Sequence, residues 1–288
     1  MRAAVAGAGS TSWLSPAAAA SALVAAGTLT PRAVRRFARH DRVADIGGLT
    51  AVFEVLAPPA VSRATVRVHD VGAALPGDPG GLGRAVSLAR SLAPQARVQL
   101  RTGAEPAAAV LTAAGFAPFT LWIRKRPGPA AIVPGVDVRH ADGEEDWRFV
   151  AQCHRDALRD GMPTTTFSAE ALDRYVHDAL RIGRRGGPEA LVSRVDGTRS
   201  GQVTWRVCTD RWTGSAVIDV VDVFVLPEHL RGPTGGALTA ALEREITARR
   251  PALQLLGNVV AEDGQERQVL QRLAVHGWRL DHELWQLT

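Results

Sequence analysis

The sequence contains one long pattern twice, and this internal repeat constrains the fold more than any single motif. Segment 68–92 aligns without a gap on segment 220–244, at a constant separation of 152 positions that places Asp70 on Asp222. Each copy has an apolar run, then a glycine-containing turn, then an amphipathic segment, which predicts strand, turn and helix in that order. A repeat of this length in 288 residues predicts two domains of one fold. The Pro/Gly-rich stretch 126–135 is the expected link between them.

Composition excludes several classes of function. The formal net charge is +5, and 33 of the 34 basic residues are arginine, which we interpret as a generally basic surface. Nucleic acid is therefore not an expected partner. Cys153 and Cys208 lie 55 positions apart, which favours free thiols in a reducing cytoplasm. The eight histidines show no metal-ligand spacing, and no apolar run reaches 18 residues, so we expect neither a metal site nor a membrane span. Segment 1–27 is interpreted as the first helix of a domain rather than a signal peptide.

Hydrophobic periodicity predicts a mixed chain of helices and strands. In the second half, apolar residues at helical spacing alternate with runs typical of strands, and Ser168 is a candidate helix N-cap. The first half shows a shortened version of the same order. The predicted elements of the second half are helices 143–160, 168–183, 236–250 and 266–277, and strands 136–141, 189–195, 202–209, 215–226, 251–260 and 278–287.

This order of elements resembles the GNAT superfamily of N-acyltransferases. The residues that carry the resemblance are Val225-Leu-Pro227, the turn 230–236 and the Gly277-Trp278 pair, with the turn 78–83 and the Gly115-Phe116 pair in the first half. Two copies in one chain resemble the tandem GNAT type, some members of which act in natural-product pathways. The resemblance implies an α/β (α+β) class with two tandem GNAT folds, each a mixed, mostly antiparallel twisted sheet flanked by helices. The expected domains are a degenerate GNAT domain at 1–128 and a second GNAT domain at 134–288.

The resemblance implies that the glycine turn holds the pyrophosphate of acetyl-CoA or another acyl-CoA. GNAT turns resemble R-x-x-G-x-G, in which backbone N–H groups and a helix N-terminus face the phosphates. Neither copy is intact, because Leu230 and Pro233 replace the arginine and the first glycine in the second half, and Asp78 replaces the arginine in the first. We expect the second half to bind acyl-CoA and the first half to be structural. The expected cofactor contacts are Phe224, Val225, Leu226, Arg231, Gly232, Thr234, Gly235, Gly236, Ala237 and Asn258.

Two aspartates in the strand before the turn are candidates for the catalytic base. Asp219 and Asp222 lie in an apolar run where a carboxylate is costly to bury without partners. They are three positions apart, so a regular strand would place them on opposite faces, whereas a β-bulge could change this. The resemblance also implies a bulge near residues 224–226, with a backbone N–H that polarises the thioester carbonyl. The recurrence of Asp222 as Asp70 leaves a structural role open.

The resemblance implies a general acid that this chain lacks. The family's tyrosine, four positions before Gly277, is Leu273 here. His276 and His282 lie close to it in sequence, although a solvated or packed histidine is the alternative interpretation of each. A thiol of moderate pKa can also leave as an anion.

The acceptor site of GNAT proteins is commonly built from the first two helices and their connecting loop, here 159–168. The loop's threonines favour an amine of a small molecule or a peptide as acceptor. The sequence thus predicts an acyl-CoA-dependent N-acyltransferase, present as a monomer or homodimer. Two alternatives stay open: a non-catalytic pair that binds acyl-CoA or a partner, and an aminoacyl-tRNA-dependent peptidyl transferase. The candidate substrate-binding residues are Met162, Thr164, Thr165, Tyr175 and Trp205, with core packing as the alternative for Trp205.

Overall fold

The computed structural model describes the chain in ranges separated by gaps. The described residues are 11–25, 31, 34–35, 42–46, 49–56, 65–70, 79–92, 95–101, 105–161, 168–180, 187–210, 213–260 and 266–287. The chain divides into two compact units. The first unit comprises Met1–Phe119, Asp210–Ser215 and His282–Thr288, and the second comprises Thr120–Thr209 and Ala216–Asp281. Within the described ranges, no helix combines the length and the apolar character that crossing a bilayer requires.

The first unit is a mostly antiparallel sheet with helices packed on it. Its strands are β1 (Thr11–Trp13), β2 (Arg42–Ile46), β3 (Leu49–Leu56), β4 (Thr65–Asp70), β5 (Gln95–Arg101) and the part of β12 (Arg279–Leu287) that begins at His282. Its helices are α1 (Pro16–Ala25), α2 (Pro79–Leu92) and α3 (Glu105–Ala113). The strand order is β1-β2-β3-β4-β5-β12, in which β4 and β5 are parallel and the other pairs antiparallel. Its main core gathers around Phe53, Leu82 and Leu111.

The second unit has the same kind of sheet and longer helices. Its strands are β6 (Phe116–Lys125) from Thr120 onward, β7 (Asp137–His140), β8 (Glu189–Val195), β9 (Thr198–Thr209), β10 (Ala216–Val225) and β11 (Leu255–Val260). Its helices are α4 (Gly143–Gly161), α5 (Ala169–Leu180), the short 3-10 helix Pro227–His229, α6 (Thr234–Arg249) and α7 (Glu266–Val275). The strand order is β6-β11-β10-β9-β8-β7, in which β10 and β11 are parallel and the other pairs antiparallel. The predicted mixed, mostly antiparallel architecture is therefore confirmed.

Both faces of the second sheet are covered by helices. On one face Trp205 and Ile218 pack against Leu238 and Leu242 of α6. On the other face, side chains of α4 and α5 pack against Val192. Apolar residues at helical spacing produce these faces, since one stripe of each helix is buried and the opposite side is polar. At the start of α5, the Ser168 hydroxyl accepts a hydrogen bond from the Ala171 N–H at 3.2 Å, so the expected N-cap is confirmed.

Each unit takes one strand from the other half of the sequence. Thr120–Lys125 of β6 pair with β11 in the second unit, and His282–Gln286 of β12 pair with β5 in the first. The compact units thus differ from the sequence segments 1–128 and 134–288, and the limits of the repeat itself stay a prediction. The final strands of the two halves have similar apolar patterns, so periodicity alone does not say which sheet each strand joins.

The repeat holds in the register of the sheets. Phe53 lies opposite Val68 in the first unit, and Trp205 lies opposite Val220 in the second, which is the same pair displaced by the 152 positions of the repeat. Beyond this pair the units differ, because β4 continues in regular register whereas β10 has an irregularity between Val220 and Asp222. The two aspartates aligned by the sequence therefore occupy different register positions.

Val221 is the extra residue of a β-bulge in β10. Asp219 lies opposite Arg206 and Asp222 lies opposite Thr204, and these two partners are two positions apart on β9. Since residues two apart on a strand share a face, the bulge brings Asp219 and Asp222 onto the same face. The expected bulge position at residues 224–226 is wrong, because the register is regular from Asp222 to the end of the strand.

Gly201 allows β9 and β10 to approach closely where it lies opposite Val225, at the end of β10. A Cβ added there would lie 2.6 Å from the backbone oxygen of Phe224, which ordinary packing does not permit. We expect Gly201→Ala to destabilise the protein by about 2 kcal/mol or more, because backbone must shift to admit the methyl group. Thermal denaturation measures this as a loss of several degrees in Tm. Gly257→Ala on β11 is the control, since its nearest neighbour would lie at 3.5 Å. Equal Tm losses for the two variants would contradict the explanation.

Candidate functional site

A cavity opens where two parallel strands of the second unit separate. In the described register, β10 and β11 pair at Ile218 and Asp219 and then diverge. The gap leads into a cavity of about 710 Å³ with walls from β6, β10, β11, α6 and α7. This volume lies within the roughly 300–1,000 Å³ that small-molecule sites usually have. The cavity is the strongest candidate for a ligand site in the second unit.

The corresponding strands of the first unit stay paired. There, β4 and β5 are hydrogen-bonded in parallel from Thr65 through His69. By the separation of the repeat, Val68 and His69 correspond to Val220 and Val221, which lie beyond the last paired position of β10. The separation of strands that opens the cavity is therefore a feature of the second unit and is not repeated in the described register of the first.

The N-terminus of α6 faces one end of the cavity. Thr234 is the first residue of this helix, and the first N–H groups of a helix lack partners within it. Gly235 and Gly236 line the cavity. A Cβ at Gly236 would meet nothing within 4 Å, and one at Gly235 would meet Val225 at an ordinary 3.7 Å. Packing does not require these glycines, so their effect is to leave the space in front of the helix N-terminus open.

Several expected backbone donors are engaged elsewhere. The Ala237 N–H donates to the Pro233 carbonyl at 2.9 Å, and the Gly232 N–H donates to the His229 carbonyl at 3.0 Å. These two N–H groups are therefore not available to bind a phosphate. Pro233 precedes the first helical residue, where a missing N–H costs little.

The remaining expected cofactor contacts have mixed positions. Asn258 lines the cavity. The Leu226 N–H donates to the Ser200 carbonyl at 3.0 Å, so it is not the exposed donor that the resemblance implied. Phe224 and Val225 continue the regular pairing of β10 with β9, and Arg231 is exposed in the turn. The Thr234 hydroxyl is fully buried and has no hydrogen-bond partner among the described residues.

Asp222 lines the cavity and is held by polar neighbours from β9. Gln202 Nε2 donates to its Oδ2 at 2.6 Å, and Thr204 Oγ1 donates to Gln202 Oε1 at 2.7 Å. Burial raises the pKa of the Asp222 carboxyl to about 7, although hydrogen bonds from Gln202 and the Val223 backbone act in the opposite direction. A carboxyl that titrates near neutrality can both take and release a proton under physiological conditions.

Helix α4 places two further titratable groups beside Asp222. His154 Nδ1 lies 4.0 Å from Asp222 Oδ2, and its Nε2 is buried with no partner among the described residues. Burial lowers the pKa of His154 to about 4, so this imidazole is neutral at physiological pH. Burial, with the nearby Asp222 charge, raises the pKa of the Cys153 thiol to about 12. Of these three groups, Asp222 alone changes protonation near pH 7.

Asp219 has a fixed charge partner and lies outside the cavity lining. Arg206 Nη2 lies 2.8 Å from its Oδ2 and forms an ion pair with it. Burial raises the pKa of Asp219, and the charge and hydrogen bond of Arg206 oppose that effect. The structure thus distinguishes the two aspartates that the sequence left as alternative candidates. It favours Asp222 as the candidate base, because Asp222 lines the cavity and Asp219 does not.

The raised pKa of Asp222 predicts a pH dependence of stability. In the unfolded chain the carboxyl ionises near its ordinary value of 3.8, whereas in the folded protein it holds its proton up to about pH 7. The folded state thus binds more protons between these values, so stability falls as the pH rises from about 4 to about 7. We expect Asp222→Asn to raise Tm relative to the original protein, by a margin that grows over this interval. Thermal melts across the interval measure it, and a margin that shrinks with rising pH would contradict the raised pKa.

Two of the five expected acceptor residues lie within the described part of the chain. Met162, Thr164 and Thr165 lie outside the described residues. Tyr175 is 40% exposed on α5. Trp205 is fully buried in the core against α6, so it is not available to line a site open to an acceptor, and its assignment is corrected to core packing.

Sequence reasoning missed the polar face of β9. Gln202, Thr204 and Arg206 alternate with apolar residues along this strand, which is the signal that could have identified them. It also missed Lys125 and Glu243, both of which line the cavity.

The three positions considered from the sequence for a general acid do not all lie in the same unit. Leu273 lines the cavity, so the position of the family's tyrosine holds an apolar side chain there. His276 lines it too, whereas His282 is buried in the first unit. Across the described residues, no group of three or more His, Cys, Asp or Glu is arranged to hold a metal ion.

Comparison with solved structures identifies the fold. A GCN5-related N-acetyltransferase from Sphaerobacter thermophilus has a TM-score of 0.60 at 16% identity, covering 96% of this chain and 94% of that one. A tandem GNAT protein from the clavulanic acid biosynthesis pathway has a TM-score of 0.52 at 14% identity, covering 96% and 97%. A GCN5-related N-acetyltransferase from Kribbella flavida has a TM-score of 0.51 at 17% identity, covering 92% and 95%. No protein-family model and no curated protein matches the chain. The chain therefore has the GNAT fold.

Proposed function

We propose that the second unit is an acyl-CoA-dependent N-acyltransferase. The observation that carries this proposal is the separation of β10 and β11 beside a glycine-lined helix N-terminus, with Asp222 in the wall of the same cavity. Solved structures of this fold that are named N-acetyltransferases favour acetyl as the acyl group. The proposed acceptor is an amine of a small molecule or peptide, and the tandem GNAT protein from the clavulanic acid biosynthesis pathway favours a natural-product pathway. A cytoplasmic location is part of the proposal.

The residues around the cavity fit an acyl-CoA. The N–H groups of Thr234, Gly235 and Gly236, together with the Arg231 guanidinium, are suited to the pyrophosphate, because a helix N-terminus attracts phosphate. The open space in front of the two glycines is the structural observation that supports this placement. Asn258 lines the cavity and offers its side-chain amide to the pantetheine arm of acyl-CoA, which would lie in the gap between β10 and β11. Bound there, acyl-CoA supplies an acyl group activated as a thioester.

Asp222 is the proposed general base. Its carboxylate takes a proton from the acceptor amine as nitrogen forms the bond to the acyl carbon, and it later releases that proton to solvent. Gln202 holds one carboxylate oxygen in place, and burial keeps the group poorly hydrated. A base whose pKa is about 7 matches this task, because it is partly ionised at neutral pH and strong enough to accept the proton.

The first unit is proposed to be structural. Its parallel strands remain paired where those of the second unit separate, which supports one acyl-CoA site in the chain. Calorimetric titration with acetyl-CoA tests this, with one site expected. Two sites of similar affinity would overturn the structural role, and no binding would overturn the proposed function.

A non-catalytic acyl-CoA-binding protein is the second candidate. The apolar Leu273 at the position of the family's tyrosine favours it. A panel of primary amines with acetyl-CoA, assayed by release of the CoA thiol, separates the two candidates. Transfer to any amine excludes the non-catalytic reading, and binding without transfer to any of them supports it.

A further inference from the structure

We propose that Lys125, paired with Glu243 in the cavity wall, stabilises the thiolate that leaves when the acyl group is transferred; this inference rests on the proposed function. Lys125 is the single lysine of the chain and the last residue of β6. The proposed role is catalytic, because Lys125 lines the cavity in which the reacting sulfur would lie.

The ammonium group of Lys125 is held in a fixed position. Its Nζ lies 2.5 Å from Glu243 Oε1, and the two side chains are 14% and 8% exposed. The second carboxylate oxygen of Glu243 accepts a hydrogen bond from the Gly128 N–H at 3.3 Å. A Cβ at Gly277 would lie 3.6 Å from Lys125 Cε, so the lysine's methylene chain packs against the turn after α7. An ammonium has three N–H donors, and Glu243 accounts for one of them.

The link between the repeats helps to hold this pair. Thr247 Oγ1 donates to the Gly128 carbonyl at 3.4 Å, and Arg244 Nη1 donates to the Ala131 carbonyl at 2.9 Å. Both anchors lie on α6, the helix that carries Glu243. Pro129 of the same link lines the cavity. The Lys125–Glu243 ion pair is thus held within the cavity wall by several contacts and is not an exposed surface ion pair.

The depth of the pair in the cavity matches the reach of the pantetheine arm. Glu243 lies eight residues along α6 from Gly235, a rise of about 12 Å. The arm from pyrophosphate to sulfur has about thirteen bonds, the length of four to five extended residues, or roughly 15 Å. A pyrophosphate at Gly235 and Gly236 therefore brings the sulfur to the level of Lys125 and Glu243.

Among the described residues that line the cavity, one cation is suitable for this role. The titratable residues of the cavity lining are Asp222, Lys125, Glu243 and His276. When the C–S bond breaks, its electron pair stays on sulfur, and a nearby ammonium in a poorly hydrated site stabilises that charge. The amine proton has gone to Asp222, and the thiolate takes a proton from solvent after release. Leu273 contributes no charge or donor to this step.

Stability does not explain why the pair is charged. Two buried ions lose hydration, and replacing such a pair by apolar residues of similar size is often neutral or stabilising. An ion pair in an otherwise largely apolar wall is better accounted for by a ligand that becomes charged at that place.

The test compares the wild-type chain with the double variant Lys125→Met/Glu243→Met. Removing both charges avoids leaving Glu243 buried without a partner, which the single Lys125→Met variant would do. The probe is CoA itself, whose thiol is titrated by the ultraviolet absorbance of the thiolate, free and bound. We expect the thiol bound to wild type to ionise about one pH unit or more below free CoA, because an opposite charge within a few ångströms favours the ionised form. In the double variant this difference is lost.

Two further measurements keep the outcomes separate. Desulfo-CoA, which lacks the sulfur, should bind both proteins with equal affinity, which shows that the variant is folded with its site intact. Acyl transfer should fall by about 10²- to 10³-fold in kcat, as for other groups that stabilise a developing anion. Absence of CoA binding by wild type would refute the proposed function. The role of Lys125 would be overturned if the double variant bound CoA and its bound thiol ionised at the same pH as in wild type. It would also be overturned if the His276→Leu variant, instead of the double variant, lost the lowered pKa of the bound thiol.

Discussion

We expect the replacement of Gly235 with aspartate to weaken CoA binding strongly, and the same replacement at Gly83 to leave it intact. Gly235 lines the cavity at the N-terminus of α6, and an aspartate there places a negative charge where the pyrophosphate is expected. Like charges in close contact cost several kcal/mol, so we expect at least about a 10²-fold loss of affinity by calorimetry. Steric conflict is not the cause, because the nearest atom to an added Cβ is Val225 Cγ2 at 3.7 Å.

Gly83 is the matched control because the repeat aligns it with Gly235. It lies in α2 of the first unit, and a Cβ there would meet nothing within 4 Å. The two variants carry the same added charge but differ in the unit that is altered and in helix position, since Gly235 is the second residue of α6 and Gly83 the fifth of α2. Loss of binding in the Gly83 variant would assign the site to the first unit, and retention in the Gly235 variant would refute the proposed pyrophosphate position.

Replacing Asp222 with asparagine lowers acyl transfer by about 10²- to 10⁴-fold, the range that a positioned general base contributes. Asparagine has nearly the same shape and can still accept the hydrogen bond from Gln202, so affinity for CoA should stay unchanged. Initial rates at saturating acetyl-CoA, with affinity measured separately by calorimetry, provide the comparison.

Asp219→Asn serves as the control for this effect. Asp219 shares a strand face with Asp222 but is paired with Arg206 and lies outside the cavity lining. It should therefore retain most of the acyl transfer rate. If the Asp219 variant loses transfer and the Asp222 variant keeps it, the assignment of the base is reversed.

The repeated elements could be predicted because they are encoded locally. Apolar periodicity identified the strand that carries Asp222 and the helix that begins near Gly235, and the structure pairs Trp205 with Val220 as it pairs Phe53 with Val68. The fixed separation between two copies strengthened each assignment, since both copies show the same order of elements.

The bulge at Val221 could not be predicted in the same way. Both β4 and β10 contain an aspartate within an apolar run, and nothing in either run marks an extra residue. The register is set by the pairing of β10 with β9, in which Val220 lies opposite Trp205 and Asp222 lies opposite Thr204. Because the bulge reorients Asp222, the distinction between the two aspartates required the three-dimensional pairing with Arg206 and Gln202.

The charged pair in the cavity wall lay beyond local sequence reasoning. Lys125 and Glu243 are 118 positions apart, in different halves of the repeat. Their meeting depends on β6 pairing with β11, and periodicity does not specify a partner strand. The sequence shows that leucine stands at position 273, where the family has a tyrosine. It does not show that Lys125 lines the same cavity.

The exchange of final strands makes the two halves mutually dependent. A chain shortened to begin at the second copy would lose β6, and with it Lys125, the wall formed by Pro129 and the strand that covers the edge of β11. An uncovered edge strand promotes aggregation. A chain shortened after the first copy would likewise lose the strand that pairs with β5. The first copy of the repeat is therefore needed for the second unit, because its last strand forms part of the cavity wall there.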